Sequence, residues 1–266
     1  MKLIDTHAHL DHIQNLPQAL IHAQSAGVEG IISVSTNEES CRQNLEIKKK
    51  AQGELKIYAA LGMHPSDADS QRLEACIELI RDRRQDIAAI GEIGLDFWYK
   101  WVRKDSQKKD EQRAVFRALL AVAKELDLPA VVHTRGTWRE CLETVKEAGV
   151  KRAEFHWYSG PLDVLRDILD NGYYVSAAPS LAYSPPSREA IGYAPIERTM
   201  IETDSPVFYH QANGDSSEDG DNGFQAEPKD VFRTLEAYCR LKNIDEDHAA
   251  DILNRNARDF FGLKND

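Results

Sequence analysis

The sequence predicts an α/β protein, a (β/α)8 TIM barrel with a long acidic loop after its eighth strand. Three observations lead there. The chain of 266 residues is near the length of one such barrel. Eight short apolar runs, part β-branched or aromatic, recur along it, most of them separated by helical patterns. Six metal-type side chains, His7, His9, Glu92, His133, His156 and Asp204, stand at or within two residues of the ends of those runs. A packed core has no use for polar residues repeated at strand C-termini, whereas barrels of this type build their sites there.

The first run is 2–7 (KLIDTH), and 15–26 then carries Leu16, Leu20 and Ala23 at helical spacing. The next runs are 28–34 (VEGIISV), 56–62 (KIYAALG) and 87–92 (IAAIGE). A helix over 106–127 carries Val115, Leu119, Val122 and Leu126. Runs 129–133 (PAVVH) and 152–156 (RAEFH) follow. A helix over 160–171 carries Leu162, Leu165 and Leu169, with Pro161 in its first turn. Runs 172–177 (GYYVSA) and 198–203 (RTMIET) complete the eight, and a helix over 228–242 begins at Pro228. Strands alternating with helices, joined by right-handed crossovers, give a parallel sheet. Residues 178–197 hold four prolines and room for only a short helix. Residues 205–227 read as a long loop, acidic at 215–221, either solvated or acting as a lid. There is no internal repeat and no linker, so 1–266 reads as one domain.

No stretch approaches the roughly 20 apolar residues of a membrane span. The N-terminus turns polar after four residues, unlike a signal peptide. Cys41, Cys76, Cys141 and Cys239 are far apart with no CxxC, and read as reduced thiols of a cytoplasmic protein. The net charge of -11 argues against broad electrostatic capture of nucleic acid, although two divalent ions would change the local balance.

His7 and His9 are two residues apart, so in an extended chain both rings point to one face. Imidazole is a common zinc ligand, but such a pair alone also describes two ordinary histidines. Asp5 is placed to hold a histidine through its other ring nitrogen. Glu92 reads as a buried ion-pair partner or as a carboxylate bridging two cations, which would satisfy both of its oxygens. His133 and His156 could each be plain hydrogen-bonded histidines; at the ends of separate strands beside the others, coincidence is a poor explanation. Asp204 could touch a metal and take a proton from metal-activated water. Glu202 reads as support for the site. His64 is either a phosphate contact or a helix-entry residue bonded to the backbone. Arg135 is a phosphate or carboxylate clamp, or an ordinary surface ion pair. The segment Phe97-Trp98-Tyr99-Lys100-Trp101, with cations continuing to Lys109, suits either single-stranded nucleic acid or rings packed on the barrel rim. Trp157, just past His156, poses the same choice.

Taken together, DTHAHLD (5–11), LGMHP (61–65), GEIGLDF (91–97), VVHTR (131–135), FHWYSG (155–160), ETDSP (202–206) and EP (227–228) resemble the TatD family of metal-dependent hydrolases, within the amidohydrolase superfamily. The resemblance covers about residues 3 to 261. It implies two metals, one served by His7, His9, Glu92 and Asp204, the other by Glu92, His133 and His156, with Glu92 bridging. It implies a Mg- or Zn-supported deoxyribonuclease trimming from the 3′ end, with His64 on the substrate phosphate. Two departures stand out. Trp157-Tyr158 replaces the cysteine-phenylalanine pair common in the family, and a long acidic stretch precedes Glu227 where relatives are short and basic.

The reading is therefore a divalent-metal hydrolase that cleaves DNA phosphodiester bonds, by metal-activated water with Asp204 as general base. Single strands or 3′ ends are the expected substrate, and a monomer the expected state. Four imidazoles favour zinc, manganese or nickel over magnesium. The alternatives are a hydrolase of a small amide, lactone or phosphoester, and a non-catalytic interaction protein that kept the barrel.

Overall fold

The computed structural model describes residues 1–51, 53–210 and 223–264. Eight parallel strands stand in sequential order: β1 (Leu3–Ala8), β2 (Val28–Val34), β3 (Lys56–Leu61), β4 (Ile87–Asp96), β5 (Ala130–Arg135), β6 (Ala153–Phe155), β7 (Tyr174–Ala177) and β8 (Thr199–Ile201). Helices α1 (Leu16–Ala26), α2 (Glu38–Lys50), α3 (Leu73–Asp82), α4 (Ser106–Leu126), α5 (Trp138–Ala148), α6 (Leu162–Asp170), α7 (Pro185–Tyr193) and α8 (Val231–Lys242) alternate with them, and α9 (Glu246–Phe261) follows. All eight expected strands are present. Pro161 sits one residue before α6, as its N-cap, rather than in its first turn.

The main apolar cluster fills the space between strands and helices. A second, with Ile4, Ile32, Val131 and Met200, meets Phe260 and Phe261 of α9. Asn254 of α9 accepts from the Ile4 amide at 2.9 Å, and Asn256 donates to the Thr199 carbonyl at 2.8 Å. So α9 ties both edge strands of the sheet.

The seam between β1 and β8 is not a regular ladder. β8 ends at Ile201, and the gap is bridged by His9 N–H to Ser205 O at 2.7 Å and Asp204 N–H to His7 O at 2.8 Å. Lower down, the buried Asp5 carboxylate accepts from Thr203 N at 2.9 Å and Thr203 Oγ1 at 2.6 Å. This corrects the expected role of Asp5: it takes the His7 backbone amide at 3.3 Å and no ring nitrogen, so it holds strands rather than a histidine side chain.

β4 runs four residues past its expected end. Ile90 pairs with Ala130 and Ile93 with Val132, so three steps on β4 match two on β5, a bulge. Glu92 sits in that bulge, inside the strand and not at its end. Gly94, at φ +153, allows the close approach: a Cβ there would overlap the His133 carbonyl oxygen.

Residues 205–227 are not all loop. β9 (Phe208–His210) and β10 (Gly223–Gln225) form an antiparallel ribbon that packs Tyr209 and Phe224 on Ala178 and Trp157. The acidic stretch between them, 211–222, lies outside the described residues. The four cysteines are free and buried. No described helix is long and apolar enough to cross a membrane.

Thr203→Val removes a donor from Asp5 and leaves Oδ2 unpaired in the seam. The expected loss is about 1–3 kcal/mol, read from the urea midpoint at unchanged slope.

Candidate active site

The Glu92 carboxylate lies at the mouth of the barrel, 1% exposed, with five imidazoles around it. Its Oε2 is 3.5 Å from His7 Nε2 and 3.4 Å from His9 Nε2. The same two nitrogens are 3.5 and 3.2 Å from Asp204 Oδ1. Its Oε1 is 2.9 Å from His133 Nδ1 and 2.7 Å from His156 Nε2. Two nests of donors thus share one carboxylate, each on its own oxygen.

Strand alternation accounts for the placement. Asp5, His7 and His9 point to one face of the first strand, with Asp5 lowest. His156 follows directly on β6. Asp204 stands three residues past β8, at φ 49, and Trp157 is at φ 43. Left-handed backbone at non-glycine residues costs of order 1 kcal/mol or more and tends to gather at functional sites.

The metal-type nitrogens fit a cation. His7 is fully buried, yet neither ring nitrogen has a hydrogen-bond partner. Such a group is costly unless something else satisfies it, and a divalent ion would satisfy one of the two nitrogens. Outer partners fix the rings of His156 and His133, while His9 Nδ1, like His7, has none among the described residues. Glu202 Oε1 lies 3.4 Å from His156 Nδ1, while its Oε2 accepts from Ser176 Oγ at 2.7 Å. Glu202 thus stands behind His156 and does not line the cavity. Asp96 Oδ2 lies 3.0 Å from His133 Nε2 and 2.8 Å from Arg135 Nε. Closing the strand at Glu92 leaves Asp96 out, although Ile93 and Leu95 continue the apolar pattern; its signal was the spacing Glu92-x-Gly94-x-Asp96, one face of a strand that continues.

Burial alone would raise the Glu92 carboxyl, but the imidazoles of His64, His156 and His7 and the His133 hydrogen bond hold it well below the usual range. Burial likewise opposes charge on His9, His133 and His156, yet their carboxylate neighbours, Asp204 and Glu92 for His9, Asp96 and Glu92 for His133, Glu92 and Glu202 for His156, push all three above the ordinary imidazole value.

His64 is the turn-entry residue of its second reading, and its other ring nitrogen faces the site. Its Nδ1 accepts from Ser66 N–H at 3.0 Å, entering a short 3-10 turn, while Nε2 stands 3.6 Å from Glu92 Oε1. Because Nδ1 accepts, the ring proton sits on Nε2 and points at the site.

A cavity of about 740 Å3 opens over these groups. His64, Tyr99, Arg135 and Trp157 line it, and Ser180, Tyr183 and Ser187 add a hydroxyl-bearing wall from the proline-rich segment. Arg135 is held by Asp96, with its guanidinium 4.8 Å above the Tyr99 ring. Trp157 donates its indole N–H to Ser180 Oγ at 2.7 Å and faces Tyr209.

Comparison with known proteins gives the same picture. A family model described as TatD related DNase matches residues 4–262. The metal-dependent hydrolase YabD of Bacillus subtilis is 30% identical over 271 residues, covering 98% of this chain and 99% of its own. Human deoxyribonuclease TATDN3 is 26% identical over 269 residues, covering 97% and 94%. The crystal structure of YjjV, a TatD homologue of Escherichia coli, superposes with a TM-score of 0.84 at 27% identity, covering 98% of each chain.

Burial pushes the His64 imidazole down to about 3. The unfolded ring takes a proton near 6.5 and the folded one does not, so His64 withdraws stability as the pH falls from about 6.5 toward about 3. Nitrogen NMR of the metal-free protein should show the Nε2–H tautomer, unchanged between pH 7 and 5.

Proposed function

The chain belongs to the TatD-related DNase family, and from that premise we propose that it is a metal-dependent deoxyribonuclease with two divalent ions, removing nucleotides from the 3′ ends of single strands. One metallohydrolase domain acting as a monomer completes the reading. The observation that carries it is the division of Glu92, with Oε2 toward His7 and His9 and Oε1 toward His133 and His156. His7, His9, Glu92 and Asp204 would hold one ion; Glu92, His133 and His156 would hold the other. Zinc, manganese or nickel suits four imidazoles better than magnesium does.

Divalent ions here supply a lowered pKa for water and neutralise charge growing on the phosphoryl oxygens. The chain's own groups do the rest. Asp204 lines the cavity and, although burial opposes it, His9 and His7 keep its carboxyl below the usual range. It is thus ionised and ready to take the proton of the attacking water. His64 donates Nε2–H toward a phosphoryl oxygen. Arg135, oriented by Asp96 and Tyr99, offers a planar fork to the phosphate. Trp157, fixed by Ser180, walls the far side of the cavity.

Two measurements test this. A 3′-labelled single-stranded DNA should lose label only with both added metal and Asp204; Asp204→Ala should lower the rate by roughly 10² to 10⁴-fold. No cleavage with zinc, manganese or magnesium would sink DNA as the substrate and turn the search to small phosphoesters, lactones and amides, which the net charge of -11 would suit. Second, ligating imidazoles must be neutral, and His9, His133 and His156 are held above their ordinary value. Zinc binding at pH 7 should therefore release protons, and affinity should weaken from pH 7 to pH 5, as read by calorimetry in buffers of different ionisation enthalpy.

A further inference from the structure

We propose that Tyr99 and Trp101, flanked by Lys100, Arg103 and Lys104, form a stacking platform that leads the bases of a single DNA strand to the metal centre. The proposal rests on the nuclease reading and adds a binding surface to it.

The platform belongs to the loop 97–105, which joins β4 to α4. This loop is built rather than slack. Val102 is buried in the protein interior. Tyr99 O accepts from Val102 N and Arg103 N at 3.0 and 2.9 Å, a tight turn. Asp105 caps α4 by accepting from Lys108 N at 3.1 Å. Phe97 has Lys109 and Arg113 over its ring at 5.3 and 5.0 Å. Trp98 sets its edge against Trp138 at 5.9 Å and crowds Gly136, where a Cβ would overlap the indole. Phe97 is therefore accounted for by packing on the rim, and Trp98, although 58% exposed, is anchored there by Trp138 and the close approach of Gly136.

Trp101 is not. It is 56% exposed, and among the described residues its only ring partner is Tyr99, stacked at 4.4 Å with planes 22° apart. Tyr99 in turn carries the Arg135 guanidinium and meets His64 edge-on at 6.4 Å. Tyr99, Arg135 and His64 all line the cavity of the metal centre. The aromatic surface is thus continuous from the donors around Glu92 to open solvent.

Charge points to the same occupant. Residues 97–104 contain three cations and no acid, in a chain of net charge -11. Lys100, Arg103 and Lys104 are exposed, and among the described residues none of them is in an ion pair. Exposed rings interleaved with free cations suit a strand that offers both base faces and phosphates. A duplex keeps its base faces stacked inside and fits poorly.

The test uses Asp204→Asn protein supplied with zinc, which holds the strand without turnover. Binding of labelled oligothymidylate is followed by fluorescence anisotropy. Trp101→Ala should weaken it by roughly 5- to 100-fold, and Trp101→Phe should restore most of the loss. A strand of the same length lacking bases should bind both proteins alike. Changing Lys100, Arg103 and Lys104 together to Gln should flatten the salt dependence by about two units in log–log slope. Equal affinity of parent and Trp101→Ala, or equal binding of a duplex, would overturn the platform. If the wild-type enzyme still shortens DNA in that case, the nuclease reading stands and the platform alone falls.

Discussion

The arrangement at the mouth of the barrel follows from burying the Glu92 carboxylate. An ionised carboxylate without water is very costly unless cations or donors surround it. Five imidazoles do so, at 2.7 to 3.6 Å. Each of those rings then needs a partner for its second nitrogen or a reason to lack one. Asp96 stands behind His133, Glu202 behind His156 and the Ser66 amide behind His64, whereas the Nδ1 atoms of His7 and His9 have no partner among the described residues. Outer partners of this kind set ring orientation and ligand basicity. The site is a set of nested obligations that begins with one carboxyl group.

Much of this was legible in the chain. Alternation in DTHAH announces two rings on one face, and the apolar runs announce eight strands. The family resemblance supplied the pairing of distant pieces. What escaped had physical reasons. Closing β4 at the acidic Glu92 stops it four residues short, although Ile93 and Leu95 continue the apolar pattern, and so Asp96 goes unseen. Asp5 looks like a partner for histidine because it precedes one; only the seam shows that Thr203 claims it. β9 and β10 are three residues each, too short for any periodicity to rise above the turn residues around them. α2 buries only Ser40, Cys41 and Asn44 and offers no apolar stripe to read, whereas α3, α5 and α9 bury stripes as marked as that of α4 and were legible in principle.

The charge of the whole chain and the charge of its working face are different quantities. Net charge governs solubility and long-range attraction. What a strand would meet here is local: the imidazole-rich cavity, the Arg135 fork and the exposed cations after β4. An acidic protein can present a basic approach when its acids lie elsewhere, as the ion-paired acids of α5 and α6 do.

The seam has a consequence in time. Asp5 and Thr203, which close it, are 198 positions apart. A chain leaves the ribosome N-terminus first, so the five imidazoles and Glu92 are made early and Asp204 late. Until β8 docks beside β1, the cavity lacks a wall and the histidines around Glu92 lack the Asp204 carboxylate. The fold thus withholds the full constellation from every half-made copy, and the finished molecule is the first that could cut.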